Sequence, residues 1–338
     1  MKVGLSLPNF ARWLRADEIW AVCEKAKEIG FESLWFVDHM IFTPQQYVGY
    51  GNGYMDIWTA MTYVAAVTNI QGWKPLLGQQ VCVIPYRPPI QQAKVAATLD
   101  SLSGGRLIVG AGTGYNEDEF AALGLNIHER AAMVDEYLKC MIQLWEHPVA
   151  SFHGKYVNFD EMTISVRPVQ QPHPPIIVGA RGPRPFRRVA EYCDGWQPGA
   201  LHPVGGDEMS QPAPDPDPMG RLQSNWADIN KLWKEYGRKG KPILKVGGGG
   251  HLTTDRALAG ETIEKGVQGA GGRTYVSRFT LTHVDDVIAT ARTQADIGAD
   301  IWVAGFPSYR YGEFNNLEMF LNQMEIFAEH VLPKLPRS

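Results

Sequence analysis

Asp38 and His39 stand side by side directly after Ser33–Val37, a run rich in apolar residues. A carboxylate beside an imidazole can hold a heterocycle through hydrogen bonds, and it can exchange a proton near neutral pH. A surface pair in a loop explains the same dipeptide. The residues alone therefore leave two interpretations open, a proton-transfer site and a plain loop.

Glycines dominate a second segment, Gly110–Tyr115, which reads Gly-Ala-Gly-Thr-Gly-Tyr. It lacks the third glycine of the dinucleotide-binding fingerprint in register, and no ribose-binding acid follows at the end of a next strand. We interpret the glycines as a surface against which a flat cofactor lies, with the Thr113 hydroxyl donating a hydrogen bond to it. A tight turn would explain the glycines but not Thr113.

A third segment, Gly179-Ala180-Arg181-Gly182, immediately precedes Pro183, where a helix is predicted to begin. Free N–H groups at a helix N-terminus, together with an adjacent arginine, form a phosphate site. The alternative is a simple loop in which Pro183 starts the helix. The pattern is compatible with both.

Motifs for metal binding and for hydrolysis are absent from the sequence. The histidines show no H-E-x-x-H spacing and no cysteine partners, so we predict no metal site. No G-x-S-x-G nucleophile motif occurs, which argues against a hydrolase. Glu119 and Arg130 bracket the segment that leads into the next predicted helix, and we interpret them as a structural ion pair.

Short β-rich runs alternate with amphipathic stretches along the chain, in eight successive β-then-α units. The predicted strands are Lys2–Leu7, Ser33–Val37, Pro75–Ile84, Leu107–Ala111, Pro175–Val178, Gly195–Gln197, Ile243–Val246 and Ile301–Ala304. The predicted helices are Asp17–Ile29, Asp56–Thr68, Pro89–Leu102, Arg130–Glu146, Pro183–Tyr192, Asn225–Tyr236, His283–Ile297 and Glu313–Val331.

This order of elements predicts an α/β fold, a (β/α)8 TIM barrel with insertions at the C-terminal face. A doubly wound sheet usually stops near about six strands and carries its glycine fingerprint after strand one, where this chain has Pro8-Asn9. We expect a single domain over residues 1–338, with insertions at about residues 40–55, 151–172, 203–220 and 250–282. Since active sites of such barrels lie at the C-terminal ends of the strands, all three segments described above fall where chemistry is expected.

The composition is that of an ordinary globular protein and limits the expected partners. Of 338 residues, 44% are hydrophobic and 20% charged, with a net charge of -4 and no long basic run, so no nucleic acid is expected as a partner. No apolar run reaches the length of a membrane span, and the strand that begins at Lys2 leaves no room for a signal peptide. The four scattered cysteines fit reduced thiols in a cytoplasmic protein.

Taken together, several segments resemble the luciferase-like monooxygenase superfamily, and in particular its deazaflavin-dependent branch. The resemblance is carried by Leu5–Pro8, Trp35–His39, Ala96–Leu107, Val109–Gly114, Glu119–Phe120, Leu123–Gly124, Arg130 and Pro175–Gly179. It implies a barrel that binds coenzyme F420, a deazaflavin, or FMN at its mouth. It also implies a non-prolyl cis peptide behind the cofactor ring, for which Gln80-Val81 is the matching dipeptide.

The resemblance further implies roles for individual residues. The Asp-His pair that lies at the reactive ring in deazaflavin enzymes matches Asp38 and His39. The threonine and glycine after strand four match Thr113 and Gly114. Many deazaflavin relatives carry glycine where this chain has Arg181, so either the backbone or the arginine is expected to hold the phosphate of the cofactor.

Two departures from the family bear on the substrate. The sugar-phosphate enzyme of the family carries a glutamate where this chain has Tyr115, and a tryptophan where this chain has Phe42-Thr43-Pro44. Sugar phosphate is therefore not supported as the substrate. Tyr47, Tyr50 and Tyr115 are expected to line a pocket for an apolar or aromatic molecule, or, alternatively, to pack the loops that carry them.

Three functions agree with these observations. In the first, which the Asp38-His39 pair favours, His39 donates or accepts a proton while a hydride passes between coenzyme F420 and a small-molecule substrate. The second is an FMN-dependent monooxygenase that receives reduced flavin from a separate cofactor reductase. The third is a non-catalytic flavin-binding barrel, which only Tyr115 in place of the acid favours. The barrel is common to all three, and a homodimer is compatible with each.

Overall fold

The computed structural model describes residues 1–9, 15–44, 46, 53–179, 181–198, 217–268, 274–306 and 317–337. Tyr47, Tyr50 and Ala180, which we predicted to lie in the pocket and in the phosphate segment, fall outside the described residues. The same holds for most of the insertion predicted at 203–220.

Eight parallel strands form the centre of the protein. They are β1 (Lys2–Ser6), β2 (Ser33–Phe36), β3 (Leu76–Gln79), β4 (Leu107–Gly112), β5 (Ile176–Gly179), β6 (Gly195–Gln197), β7 (Ile243–Gly249) and β8 (Ile301–Gly305). Each strand pairs with the next one along the chain, and β8 pairs with β1, so that Lys2 lies opposite Ile301. The sheet is therefore closed, which confirms the predicted TIM barrel and excludes an open, doubly wound sheet.

Helices surround the barrel on its outside. They are α1 (Ala16–Ile29), α2 (Ile57–Ile70), α3 (Pro89–Ser103), α4 (Arg130–Glu146), α5 (Pro183–Tyr192), α6 (Pro218–Glu235), α7 (Val284–Ile297) and α8 (Leu317–Ile326). In α1, the apolar face is buried, as the spacing of Ile19, Val22 and Ala26 predicts. Gly30 ends this helix at φ 86°, a left-handed conformation that favours glycine.

One predicted helix boundary was wrong. The helix predicted to begin at Asn225 begins at Pro218, within the insertion predicted at 203–220. Asp217 caps it, since its Oδ1 accepts a hydrogen bond from the backbone N–H of Gly220 at 2.9 Å, and proline is favoured at the first helical position. The Asp217 cap and Pro218 at the first helical position define this start, which the sequence prediction missed.

The strand predicted over Pro75–Ile84 is also divided. β3 ends at Gln79, and the two-residue strand Cys82–Val83 pairs separately with the end of β4 before a 3-10 turn at Ile84–Tyr86. Apolar residues lie on both sides of Gly78-Gln79-Gln80, and the prediction joined them into one strand, although the two glutamines stand where the strand ends.

The interior of the barrel is filled by side chains, of which the indole of Trp35 is the largest. It packs with the buried residues Ile108, Ile177, Ile301 and Val303. Gly4 of β1 and Gly78 of β3 lie beside Trp35, and a Cβ atom at either position would collide with its ring. Because the indole lies across the barrel between these strands, both neighbours have to be glycine.

Two predicted insertions contain regular structure of their own. The insertion predicted at 151–172 holds the antiparallel pair Ala150–His153 and Asn158–Met162. Its predicted place at the C-terminal face was wrong, because it connects α4 to β5 and such connections lie at the N-terminal face. The insertion predicted at 250–282 holds the strands His251–Thr253, Thr262–Gln268 and Thr274–His283. Across the part of the chain that the structure describes, no helix combines the length and the apolar character needed to cross a membrane.

Candidate functional site

A buried carboxylate holds His39 at the C-terminal face of the barrel. His39 follows β2, and its Nδ1 lies 2.8 Å from Oε2 of Glu119, which belongs to the short helix Glu117–Ala122 after β4. The Glu119 side chain is fully buried, whereas that of His39 is 11% exposed. A carboxylate in this position holds the Nδ1 proton of the imidazole, so proton exchange with a bound molecule is left to Nε2.

Glu119 is held in its ionised form by several donors. Its Oε1 accepts the backbone N–H of Met40 at 2.6 Å, and its Oε2 accepts the hydroxyl of Tyr86 at 3.1 Å. Burial opposes ionisation of Glu119, but the hydrogen bond and charge of His39, with the bonds from Met40 and Tyr86, outweigh it and lower the pKa of Glu119. The ionised Glu119 carboxylate orients the imidazole of His39, an acid–base group that can accept a proton and release it.

The predicted ion pair between Glu119 and Arg130 was wrong. Arg130 donates to the backbone carbonyl of Ile127 at 2.7 Å, while Glu119 contacts a histidine 80 positions earlier in the chain. The short helix directs the Glu119 carboxylate toward the end of β2, and this direction depends on strand order rather than on local sequence.

Aromatic rings surround His39. The centroids of the Phe42, Tyr54 and Tyr115 rings lie 5.0, 4.8 and 6.0 Å from that of the imidazole. Tyr115 is 57% exposed, which places part of its ring on the solvent side of the mouth. The structure therefore brings the predicted pocket residue Tyr115 together with the predicted proton-transfer residue, and an apolar molecule that reaches His39 contacts these rings.

The side chain of Asp38 bonds to residues other than its neighbour His39. Its two carboxylate oxygens accept bonds from Nη1 and Nη2 of Arg87 at 2.8 and 2.9 Å, and one also accepts the backbone N–H of Val83 at 3.0 Å. Arg87 in turn contacts Asp56, the N-cap residue of α2, at 2.7 Å. Asp38 is buried, and this network ties the end of β2 to the segments that follow β3 and precede α2.

The predicted cis peptide at Gln80-Val81 is confirmed. The side chain of Val81 lies against Gly112 at the end of β4 and Gly179 at the end of β5, and a Cβ atom at either glycine would overlap its methyl groups. The glycines of these two strands therefore make room for the Gln80–Val81 segment, which crosses the mouth of the barrel.

We expect Gly179→Ala to destabilise the protein. The added methyl group would meet Cγ1 of Val81 well inside van der Waals distance, whereas the next nearest atoms lie at 3.5 Å or beyond. Overpacking of this kind lowers the free energy of unfolding by about 1–3 kcal/mol, which urea denaturation measures. In the control, Val81→Ala combined with Gly179→Ala removes the clash, so the two losses should not add. Additive losses would contradict this account of Gly179.

The N-terminus of α5 lies at the end of β5. Gly182 is its N-cap residue at φ 103°, a conformation that favours glycine, and no atom lies within 4 Å of a Cβ built there. Arg181 is exposed beside it. Pro183 and Pro185 carry no N–H, and the N–H of Phe186 donates to the carbonyl of Gly182, so in the first turn Arg184 is the residue whose N–H can meet an anion. The helix dipole also favours negative charge at this end.

The remaining predicted residues lie at the same face. Thr113 and Gly114 are partly exposed directly after β4. Within the described residues, no three His, Cys, Asp or Glu side chains are grouped so as to hold a metal ion.

Sequence reasoning missed two charged residues of this region, Arg87 and Lys245. Lys245 lies in β7 and is only 8% exposed. Its sequence context, a lysine among Ile243, Leu244 and Val246, was a usable signal, because the strands of a parallel barrel are buried on both faces. Arg87 offered no such signal, since an arginine between a strand and a helix is ordinary in a surface loop.

Comparison with known families gives one match. The family model described as luciferase-like monooxygenase matches residues 1–210, which include β1 to β6 and the residues around His39.

Several curated proteins are similar over part of the chain. An uncharacterized protein of Mycobacterium tuberculosis is 38% identical over 143 residues, 42% of this chain and 49% of that protein. The F420-dependent hydroxymycolic acid dehydrogenase of the same organism is 31% identical over 185 residues, 54% of this chain and 49% of the dehydrogenase. The FMNH2-dependent dimethylsulfone monooxygenase of Pseudomonas putida is 33% identical over 115 residues, 33% of this chain and 31% of the monooxygenase. The chain thus spans half or less of the length of these relatives.

Solved structures are similar over nearly the whole chain. The crystal structure of monooxygenase RslO1 from Streptomyces bottropensis matches with a TM-score of 0.73 at 22% identity, covering 98% of this chain and 99% of that chain. This likeness establishes the fold.

Proposed function

The chain belongs to the luciferase-like monooxygenase family, and from that premise we propose that it is an oxidoreductase that uses coenzyme F420. In this proposal, a hydride passes between the deazaflavin and a small apolar or aromatic substrate at the mouth of the barrel. The observation that carries it is the contact between His39 and the buried Glu119, which provides a proton donor and acceptor where the family binds its cofactor.

The described residues fit a ring with a phosphate-bearing tail. The Gln80–Val81 segment offers a surface across the mouth, with Thr113 and Gly114 at the adjoining end of β4. At the N-terminus of α5, the N–H of Arg184 and the helix dipole would meet the phosphate, and Arg181 beside it adds a positive charge. Once bound, the deazaflavin supplies the hydride chemistry.

The proton chemistry falls to His39. With an alcohol as substrate, Nε2 would accept the hydroxyl proton while the hydride would pass from the carbon to the bound deazaflavin, and a carbonyl product would result. In the reverse direction, Nε2 returns the proton to the carbonyl oxygen. Glu119 keeps the imidazole oriented, and the Asp38–Arg87 network positions the segment that carries His39.

The rings around His39 support an apolar or aromatic substrate. Phe42, Tyr54 and Tyr115 present carbon surface within 6.0 Å of the imidazole, measured between ring centroids. Such surface binds apolar groups and excludes water from the reacting atoms.

An FMN-dependent monooxygenase, fed by a separate reductase, is the second candidate. It is supported by the similarity to an FMNH2-dependent monooxygenase over 115 residues. The same site would then hold FMN, and His39 would exchange a proton with the substrate that is oxygenated.

Titration of the purified protein with F420 and, separately, with FMN distinguishes the candidates. We expect saturable quenching of F420 fluorescence and no saturable change with FMN. Saturation with FMN alone, including its reduced form under anaerobic conditions, would support the second candidate. Failure to bind either cofactor would contradict both, and binding without turnover of any alcohol or carbonyl compound would favour a non-catalytic barrel.

A further inference from the structure

The barrel contains a buried lysine whose side chain is bonded to the first residue of the cis peptide. Nζ of Lys245 donates to Oε1 of Gln80 at 2.8 Å and lies 4.9 Å from the centroid of the Trp35 ring. Nε2 of Gln80 donates in turn to Oγ of Ser6 at 2.6 Å. Lys245, Gln80 and Ser6 thus connect β7, the segment after β3 and β1 across the barrel.

Neutral groups surround the Lys245 amine on the elements packed against it. Trp35 comes from β2, Gln80 from the segment after β3, Ile301 from the adjoining position of β8, and β6 on the other side ends in Gln197. Within the described residues, no carboxylate forms an ion pair with Lys245. Burial therefore acts unopposed and lowers the pKa of Lys245 to about 7.

We propose that Lys245 is a positioning residue that provides the counter-charge for an ionised flavin or deazaflavin ring bound on the Gln80–Val81 peptide. This inference rests on the proposed function, because the ring has to bind there. As the anionic ring binds, the neutral amine of Lys245 takes up one proton from solvent and becomes an ammonium. The side chain of Lys245 keeps its hydrogen bond to Gln80 as a neutral amine and as an ammonium, so the two forms differ in charge and not in geometry.

The inference predicts how cofactor affinity depends on pH. Above pH 7, proton uptake makes the Kd of the wild-type protein rise roughly tenfold per pH unit. Lys245→Met removes the titrating group, and Lys245→Gln removes the charge but keeps a donor for Gln80, so both variants should lose this rise. Calorimetry at pH 8 in two buffers of different ionisation enthalpy should show close to one proton taken up by the wild type and none by the variants. Lys231→Met, which removes an exposed lysine of α6, is the control.

The cofactor-free protein gives a second readout. Because the pKa of Lys245 in the folded protein lies below its unfolded value, the unfolded chain binds more protons between about pH 7 and 10, and stability should rise with pH in this window. Between pH 7 and pH 9, the Tm of the wild type should therefore rise by roughly 5 °C more than the Tm of Lys245→Met.

The outcomes separate the two proposals. Tight cofactor binding with parallel pH profiles of Kd for wild type and both variants would overturn the role of Lys245 and leave the proposed function intact. A wild type that binds neither F420 nor FMN at any pH would overturn the proposed function, and this inference with it.

Discussion

Replacement of His39 by alanine should lower kcat about 10²–10⁴-fold, the usual effect of removing a positioned acid–base group. The fold should persist, because the imidazole lies at the mouth of the barrel and is partly exposed. Most of the cofactor affinity should remain as well, since the Gln80–Val81 segment and the N-terminus of α5 are untouched. Turnover at saturating cofactor and substrate, with Kd from the fluorescence titration, measures both effects.

The matched control for this variant is His153→Ala. His153 lies in the hairpin between α4 and β5, where its Nε2 contacts Asp160, and its side chain is 65% exposed. Connections from helix to strand lie at the opposite face of the barrel from the site, so kcat should not change. An unchanged kcat in His39→Ala would remove His39 from the mechanism.

Asp38→Asn should lower the free energy of unfolding by about 3–5 kcal/mol, the effect of removing one partner of a buried ion pair. The substitution leaves Arg87 buried, and Asp56, which still pairs with it, is 42% exposed. The asparagine has nearly the same shape as the aspartate, so the loss reports charge rather than a cavity. Urea denaturation followed by circular dichroism measures it.

Asp17→Asn provides the control, because Asp17 also pairs with an arginine, Arg15, but both side chains are exposed. Its stability should be unchanged. Combining Asp38→Asn with Arg87→Met should recover part of the loss, because the double variant leaves no unpaired guanidinium. A single variant as stable as the wild type would show that the Asp38–Arg87 network does not hold the end of β2.

Together these two experiments divide the Asp38-His39 dipeptide into two roles. The residues are adjacent in sequence, yet their side chains bond to different partners, Arg87 and Glu119. In an extended segment, successive side chains point to opposite sides, so adjacency in sequence does not place two groups in one site. The sequence pattern indicated that the dipeptide matters but did not show this division.

The sequence by itself determined the barrel. The eight alternating units could be recognised from short stretches of sequence, such as Gly30 at the end of one helix and Pro183 at the start of another. Helix and strand periods and cap preferences are local properties, so each is visible within a few residues. The cis Gln80-Val81 peptide was predicted through the resemblance to a family and not from a local pattern.

Only the tertiary structure decided which side chains meet. Glu119 could not be assigned to His39 across 80 positions, and Lys245 could not be assigned to Gln80 across 165. The sequence showed glycines at the ends of β4 and β5, but it did not show that the side chain of Val81 occupies the space beside them. These contacts depend on the closure of the barrel, which brings the ends of distant strands to one face, and no local pattern records which neighbour a side chain receives there.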